Sequence, residues 1–270
     1  MKNKLPAAPY LVWMIVFILV PLIMVAYFAF TDKDGHFTLD YVSNVAQYTP
    51  IFVRSIWLAL ISTVICLLIA YPLAYILIGM NTNIQSTMLM IVMLPMWMNF
   101  LLRTYAWMAL LGNNGLINAL LGLVGLGPFK MLNTEGAVVL GMVYNYLPFM
   151  ILPIYSVMVK IDKSVLEAAA DLGCNPAKTM LKAVFPLSLP GVFSGITMVF
   201  VPAISTFIIS RMLGGGGNLL IGDLIEMQFL GNSYNINLGA AISLVLMVIV
   251  LLIMTILNQF GADDDGVMVI

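Results

Sequence analysis

Six long apolar stretches, separated by shorter polar segments, set the pattern of this chain. Each is long enough to cross the hydrocarbon core of a bilayer, which takes about 20 apolar residues in a helix. The first stretch follows two lysines, but its apolar run is too long for the core of a signal peptide, so we expect a retained span. The pattern predicts an all-α, polytopic membrane protein with six transmembrane helices. The predicted spans cover residues 9–31, 54–79, 86–111, 136–159, 187–210 and 236–259.

Composition supports the same class of protein. Of the 270 residues, 62% are hydrophobic and 9% are charged, and the mean hydropathy is +1.06. The net charge of −1 argues against a nucleic-acid partner. The single histidine, His36, has no second histidine or cysteine near it in the sequence, so we predict no metal site and no cofactor. We expect one transmembrane domain over residues 1–270, with ATP binding and external ligand capture left to other chains.

The basic residues indicate how the chain is oriented. An even number of spans places both termini on one side of the membrane. With the N-terminus in the cytoplasm, six basic residues lie inside and four outside, while Arg103 lies within a span. Cytoplasmic loops are enriched in lysine and arginine, so this small excess favours cytoplasmic termini, including the acidic tail at 262–266. The six are Lys2, Lys4, Lys160, Lys163, Lys178 and Lys182, and the four are Lys33, Arg54, Lys130 and Arg211.

The longest polar segment, Ser164–Pro186, predicts two short helices joined by a turn. Ser164 and Glu167 have the spacing of a capping box at the start of the first helix. Gly173 predicts the end of that helix, and Asn175 before a proline predicts the N-cap of the second. Pro186 lacks the amide that a continuing helix needs, so we expect the second helix to end or bend there.

Two interpretations of this segment remain balanced on physical grounds. It is either a solvated hairpin between two spans or a docking element whose small alanine face lets another protein approach. The order Glu167-Ala168-Ala169, three residues, Gly173, nine residues and a terminal Pro186 resembles the EAA loop of ABC importer permeases. Ala183 and Phe185 stand where that motif has isoleucine and leucine, so the match is close at the head and loose at the tail.

The resemblance implies that this loop inserts into a cleft of a cytoplasmic ATPase and transmits its movement. The residues it assigns to ATPase coupling are Glu167, Ala168, Ala169, Asp171, Gly173 and Pro186.

A glycine-rich segment, 211–235, is the third of the predicted outer segments. Its four consecutive glycines permit backbone geometries closed to other residues, and the residues after them predict a short helix or a re-entrant piece. Asp223 and Glu226 would share one face of that helix. They are either solvated acids on an outer loop or charges that attract a cation into a pathway.

Four further residues are candidates for a substrate path. Arg103 within a span is a functional candidate by default, but it could also snorkel to water or pair with an acid from a loop. Trp97, near the end of a span, could mark only the membrane interface. Tyr144 and Tyr146 could hold an ammonium group by cation–π attraction or could simply pack in the core.

Three longer segments narrow the family. Residues 91–107, 141–162 and 212–230 resemble the PotB-type permease family of spermidine/putrescine ABC importers, and with the EAA loop the likeness covers about 50–260. It implies a type I ABC importer permease fold in the inner membrane. The implied partners are a second permease of similar fold, two ATPase subunits and an external polyamine-binding protein.

The sequence does not indicate an enzyme. No nucleophile–base pair or paired-histidine motif occurs, and the glycines at 214–217 lack the Lys-Ser/Thr ending of a nucleotide-binding loop. The alternatives to a polyamine permease are an importer of another organic cation or small solute, an ion-coupled secondary transporter and a scaffold membrane protein. Secondary transporters often have repeated halves, which are not evident here.

Overall fold

The computed structural model of the chain describes residues 8–231 and 234–262, and these residues form thirteen α-helices. Short π-helical turns at Ile15–Leu19 and Met180–Val184 each connect two of them, and a third π-helical turn lies at Ser210–Gly214. The helices are α1 (Ala8–Met14), α2 (Val20–Ala29), α3 (Asp40–Asn44), α4 (Thr49–Ile78), α5 (Thr82–Trp97), α6 (Phe100–Leu111), α7 (Leu116–Leu123), α8 (Glu135–Met158), α9 (Lys163–Asp171), α10 (Pro176–Thr179), α11 (Phe185–Ser205), α12 (Ile221–Leu230) and α13 (Ile236–Ala262).

Six helical stretches in the described part of the chain are long and apolar enough to cross a membrane, as predicted. They are Pro9–Ala29, Asp40–Ile78, Phe100–Leu123, Glu135–Met158, Met180–Ser205 and Ile236–Leu257. The predictions for the tail after Ala262 and for Lys2 and Lys4 concern residues outside the described part of the chain.

The third predicted span is wrong as a single helix. It divides into α5 and α6 at Met98, whose ψ of 148° is extended. The side chain of Asn99 then caps α6 by accepting a hydrogen bond from the amide of Leu101 at 2.9 Å. An asparagine that satisfies free amides favours starting a new helix over continuing the old one. The fifth predicted span is also too long, because α11 ends at Ser205.

The centre of the bundle consists of α4, α8 and α11. Gly191 and Gly195 allow α11 to approach α8 closely, as their small size predicts. A Cβ atom on Gly191 would lie 2.8 Å from the carbonyl oxygen of Pro153, and one on Gly195 would lie 3.2 Å from that of Met150. The side chains of Met150 and Ile154 at this contact are fully buried.

The two ends of the bundle are defined by the helices that they carry. Helices α4 and α8 both run from the end that carries α12 to the end that carries α9; we call these the α12 end and the α9 end. At the α12 end, the side-chain nitrogen of Asn237 in α13 donates to the backbone carbonyl oxygens of Phe28 at 3.1 Å and Thr31 at 2.6 Å. Helices α2 and α13 therefore meet at the α12 end, and their other ends lie towards α9.

Candidate functional site

Helix α9 begins with a cap that differs from the predicted one. The helix starts at Lys163, and the carboxylate of Asp162 accepts a hydrogen bond from the amide of Ser164 at 3.0 Å. This hydrogen bond lowers the pKa of Asp162. The predicted Ser164–Glu167 capping box is therefore wrong, because Asp162 already occupies the capping position. Glu167 is left as an exposed carboxylate.

The turn after α9 forms as predicted. Gly173 has a φ of +75°, and the amide of Cys174 donates to the carbonyl oxygen of Ala169 at 3.0 Å, which is the long hydrogen bond of a Schellman motif. The side chain of Asn175 then caps α10 by accepting from the amide of Lys178 at 2.8 Å. Both signals were correct because they act within a few residues.

Pro186 does not end the second helix. From α10 the chain passes through the π-helical turn at Met180–Val184 directly into α11, in which Pro186 is the second residue. The wider π turn precedes the position at which the proline lacks an amide. Of the end or bend predicted at this proline, the structure excludes the end, and the helix is distorted by a π turn just before it.

The face of the α9–α10 loop that points away from the bundle is exposed. Glu167, Ala168, Asp171 and Gly173 are exposed, and Ala169 is half-buried. Leu172 is 85% exposed between them. A large apolar side chain flanked by carboxylates on a rigidly capped turn is typical of a surface that another protein covers.

The glycine-rich segment at the α12 end is packed into the bundle. Leu213 and Ile221, before and after the glycines, are fully buried. Gly222 lies against the end of α11, where an added Cβ would be 2.5 Å from the carbonyl oxygens of Ser205 and Thr206. The predicted short helix is confirmed as α12.

Sequence reasoning missed a set of side chains that hold this segment in place. We call Arg54, Glu135, Gly217 and Asn218 the Arg54 clamp. The guanidinium of Arg54 donates to the Glu135 carboxylate at 2.9 Å, to the Gly217 carbonyl oxygen at 3.2 Å and to the side-chain oxygen of Asn218. Arg54 lies 81 residues from Glu135 in sequence, so no local pattern signals the pair.

Asp223 and Glu226 have different environments, although they line one cavity of about 520 Å³ together with Arg211. Asp223 is 1% exposed, and one of its oxygens accepts from the amide of Leu220 at 2.9 Å. Burial raises the pKa of Asp223, against the opposing effects of the Ser210 hydroxyl, the Leu220 amide and the charge of Arg211. Asp223 is thus not a solvated loop acid.

Glu226 is paired within the chain. Its carboxylate accepts from the guanidinium of Arg211, with one nitrogen–oxygen distance of 3.0 Å. A cation from this chain therefore already neutralises the more accessible of the two acids.

Arg103 does not snorkel to water. It is 8% exposed, its guanidinium carbon lies 5.8 Å from the ring centre of Phe100, and two of its nitrogens have no hydrogen-bond partner among the described residues. Tyr146 is also buried, and its hydroxyl donates to the carbonyl oxygen of Pro202 at 3.3 Å.

The remaining candidates are Tyr144 and Trp97. Tyr144 is half-buried against Trp107, with ring centres 5.3 Å apart, and Trp97 is 78% exposed at the end of α5. The structure thus brings Asp223 close to Glu226, both on one cavity.

Comparison with known proteins gives a family and full-length relatives. The family model described as "Binding-protein-dependent transport system inner membrane component" matches residues 2–260. The spermidine/putrescine transport system permease protein PotB of Haemophilus influenzae is 37% identical, with 93% of this chain and 91% of that protein covered. The protein of the same name from Escherichia coli K12 is 35% identical, covering 88% and 90%.

Solved structures resemble the chain in fold. A chain of a bacterial ABC transporter involved in the import of the acidic polysaccharide alginate has a TM-score of 0.81 at 16% identity, covering 94% of this chain and 93% of that one. A chain of the MetNI methionine ABC transporter in an inward-facing form has a TM-score of 0.58 at 16% identity, covering 80% and 94%. At this level of identity the likeness concerns the fold alone.

Proposed function

The chain belongs to the family of binding-protein-dependent transport system inner membrane components, and from that premise we propose that it is the permease subunit of an ATP-driven importer of polyamines, spermidine and putrescine. The proposed substrate rests on two relatives named as spermidine/putrescine transport system permease proteins, each of which matches this chain over about nine-tenths of its length. The six spans and the permease fold agree with it.

The α9–α10 loop is the proposed docking site for the ATPase. Its support is local geometry: a capped helix, a left-handed glycine at the turn, and an exposed face that contains Leu172 between carboxylates. The proposed coupling residues are Glu167, Ala168, Ala169, Asp171, Gly173 and Pro186. ATP hydrolysis would take place on two copies of a partner ATPase, so the chain itself would not be an enzyme.

The other proposed partners follow from the same role. A second permease of similar fold would complete the pathway, and an external polyamine-binding protein would deliver substrate at the α12 end. The α9 end, with both termini, would face the cytoplasm. Helices α2 and α13 support this arrangement, because they meet at the α12 end and run from there towards α9.

The substrate path is proposed to involve Trp97, Arg103, Tyr144, Tyr146, Asp223 and Glu226. A polyamine carries several positive charges, which aromatic faces and carboxylates can attract. The support for Asp223 and Glu226 is the cavity that they line, and that for Trp97 is its exposed ring.

Reconstitution tests the function directly. Proteoliposomes containing the chain with its partner permease and ATPase should take up labelled spermidine only when ATP is inside the vesicle and the binding protein is outside. The matched control contains sodium and proton gradients without ATP. Uptake in that control would support a secondary transporter, and ATP-dependent uptake of another solute without spermidine would contradict the substrate.

Orientation is tested in intact cells with single cysteines at Ser164 and Asp34 in a cysteine-free background. An impermeant reagent applied outside should label position 34 and spare position 164. The opposite result would invert the proposed topology.

A further inference from the structure

Helix α5 packs loosely against the rest of the described bundle. No residue of Thr82–Trp97, which lies wholly within the described range, is buried. By contrast, α4 and α8 each have many buried side chains. Turns interrupt the chain at both ends of α5, around Gly79 and at Met98. Because few packing contacts would be lost, moving α5 relative to the core is inexpensive in free energy.

One polar link ties α5 to the core at the α9 end. The hydroxyl of Tyr155 in α8 donates to the side-chain oxygen of Gln85 in α5 at 2.8 Å. The side-chain nitrogen Nε2 of Gln85 donates in turn to the backbone carbonyl oxygens of Met80 at 2.8 Å and Ile78 at 3.3 Å. Gln85 therefore binds both α8 and the turn that joins α4 to α5.

This link lies beside the segment that leads to α9. Tyr155 is in the last turn of α8, and its carbonyl oxygen accepts from the amide of Val159 at 2.9 Å. A cavity of about 620 Å³ separates the α4–α5 turn from α9, and Gln85 and Leu166 both line it. Movement of α9 would therefore reshape a space that Gln85 borders, and the end of α8 connects α9 to α5 through the Tyr155–Gln85 hydrogen bond.

We propose that Gln85 and Tyr155 are positioning residues that pass the movement of the α9–α10 loop to α5, so that ATP hydrolysis and opening of the pathway stay coupled. The inference rests on the proposed function, since it requires that an ATPase docks on α9. The residues touch neither substrate nor ATPase and act through the helices that they join.

The test is the ratio of spermidine taken up to ATP hydrolysed in proteoliposomes of the full importer. Tyr155→Phe removes only the hydroxyl and should lower that ratio about fivefold, which is the factor given by one hydrogen bond of about 1 kcal/mol. Gln85→Leu should lower it to a similar extent. The double variant should be no worse than Gln85→Leu alone, because that change already removes the hydrogen bond to Tyr155.

Tyr75→Phe is the matched control, because Tyr75 lines the same cavity but is not part of the link. Its ratio should equal that of the unmodified chain. A purely structural role for Tyr155 would change thermal stability and yield without changing the ratio. An unchanged ratio in Tyr155→Phe, an equal fall in Tyr75→Phe, or additive losses in the double variant would each overturn the inference. If the unmodified chain fails to bind an ATPase or take up spermidine, the proposed function is what fails.

Discussion

The two ends of the bundle carry the main polar segments of the chain, and they differ in whether their charged side chains are paired or buried within the chain. At the α12 end, Arg54 pairs with Glu135, Arg211 pairs with Glu226, and Asp223 is buried. At the α9 end, the described residues form no ion pair, and the carboxylates of the loop are exposed beside an exposed leucine.

The difference indicates which charges are available to other molecules. In a chain with 9% charged residues, a charge that is paired within the chain fixes the structure around it. A charge that is exposed on a capped turn keeps its hydration, so it carries no desolvation penalty and can pair with a charge on another protein. On this argument the α12 end should be sensitive in its folding, and the α9 end should be sensitive in its coupling.

The largest expected effect is at the α12 end. Gly222→Leu should destabilise the protein by about 3 kcal/mol, because the new side chain would meet backbone oxygens that cannot rotate away. Thermal unfolding in detergent and the yield of folded protein measure it. Gly216→Ala is the matched control: a Cβ there meets nothing within 4 Å, so its unfolding temperature should be unchanged. A stable Gly222→Leu protein would show that this end is loosely packed.

A smaller and mainly functional effect is expected at the α9 end. Gly173→Trp should fold, since no atom lies within 4 Å of an added Cβ, although the left-handed backbone costs about 1–2 kcal/mol locally. Substrate-stimulated ATP hydrolysis should fall about tenfold, equivalent to about 1.4 kcal/mol at the docking surface. Gly173→Asn is the control, because asparagine tolerates this backbone and is smaller. Normal assembly and normal ATP hydrolysis in the Trp variant would contradict docking at this loop.

The same contrast explains how far the sequence could predict the structure. The number of spans, the stop at Gly173 and the cap at Asn175 depend on residues within a few positions or on a long apolar average, so they were predicted correctly. In the Arg54 clamp, Arg54 is 81 positions from Glu135 and 164 positions from Asn218 along the chain. Hydrophobic periodicity contains no information on such distant pairs.

Competition between nearby signals accounts for the local errors. Ser164 and Glu167 have the spacing of a capping box, but Asp162 lies two residues earlier and takes the amide first. Asn99 interrupts an apolar run that looks continuous when hydropathy is averaged over a window. In both places one short polar side chain decided the helix start, and averaging hides single residues.

Removing one charge at the α9 end separates a partner role from a structural one. Since Asp162 caps α9, Glu167→Gln should leave folding and the unfolding temperature unchanged. If the ATPase needs the carboxylate, uptake should fall about fivefold, as expected for one contact of about 1 kcal/mol. Asp34→Asn, an exposed acid at the other end, is the control and should transport normally. Full uptake by the Gln variant would leave Glu167 without a role in coupling.

The smallest expected effect distinguishes the two uses of charge at the α12 end itself. Arg211 is mostly exposed, so its pairing with Glu226 should contribute less than about 1 kcal/mol to stability. Arg211→Glu and Glu226→Arg should each lower the unfolding temperature slightly and reduce spermidine uptake, because each places two like charges together. The double exchange restores an ion pair with reversed polarity. If Glu226 only fixes α12, the double variant should recover both unfolding temperature and uptake. If Glu226 also receives the cationic substrate, stability should recover while the spermidine concentration for half-maximal uptake stays raised, because an arginine now stands where the carboxylate attracted the amine.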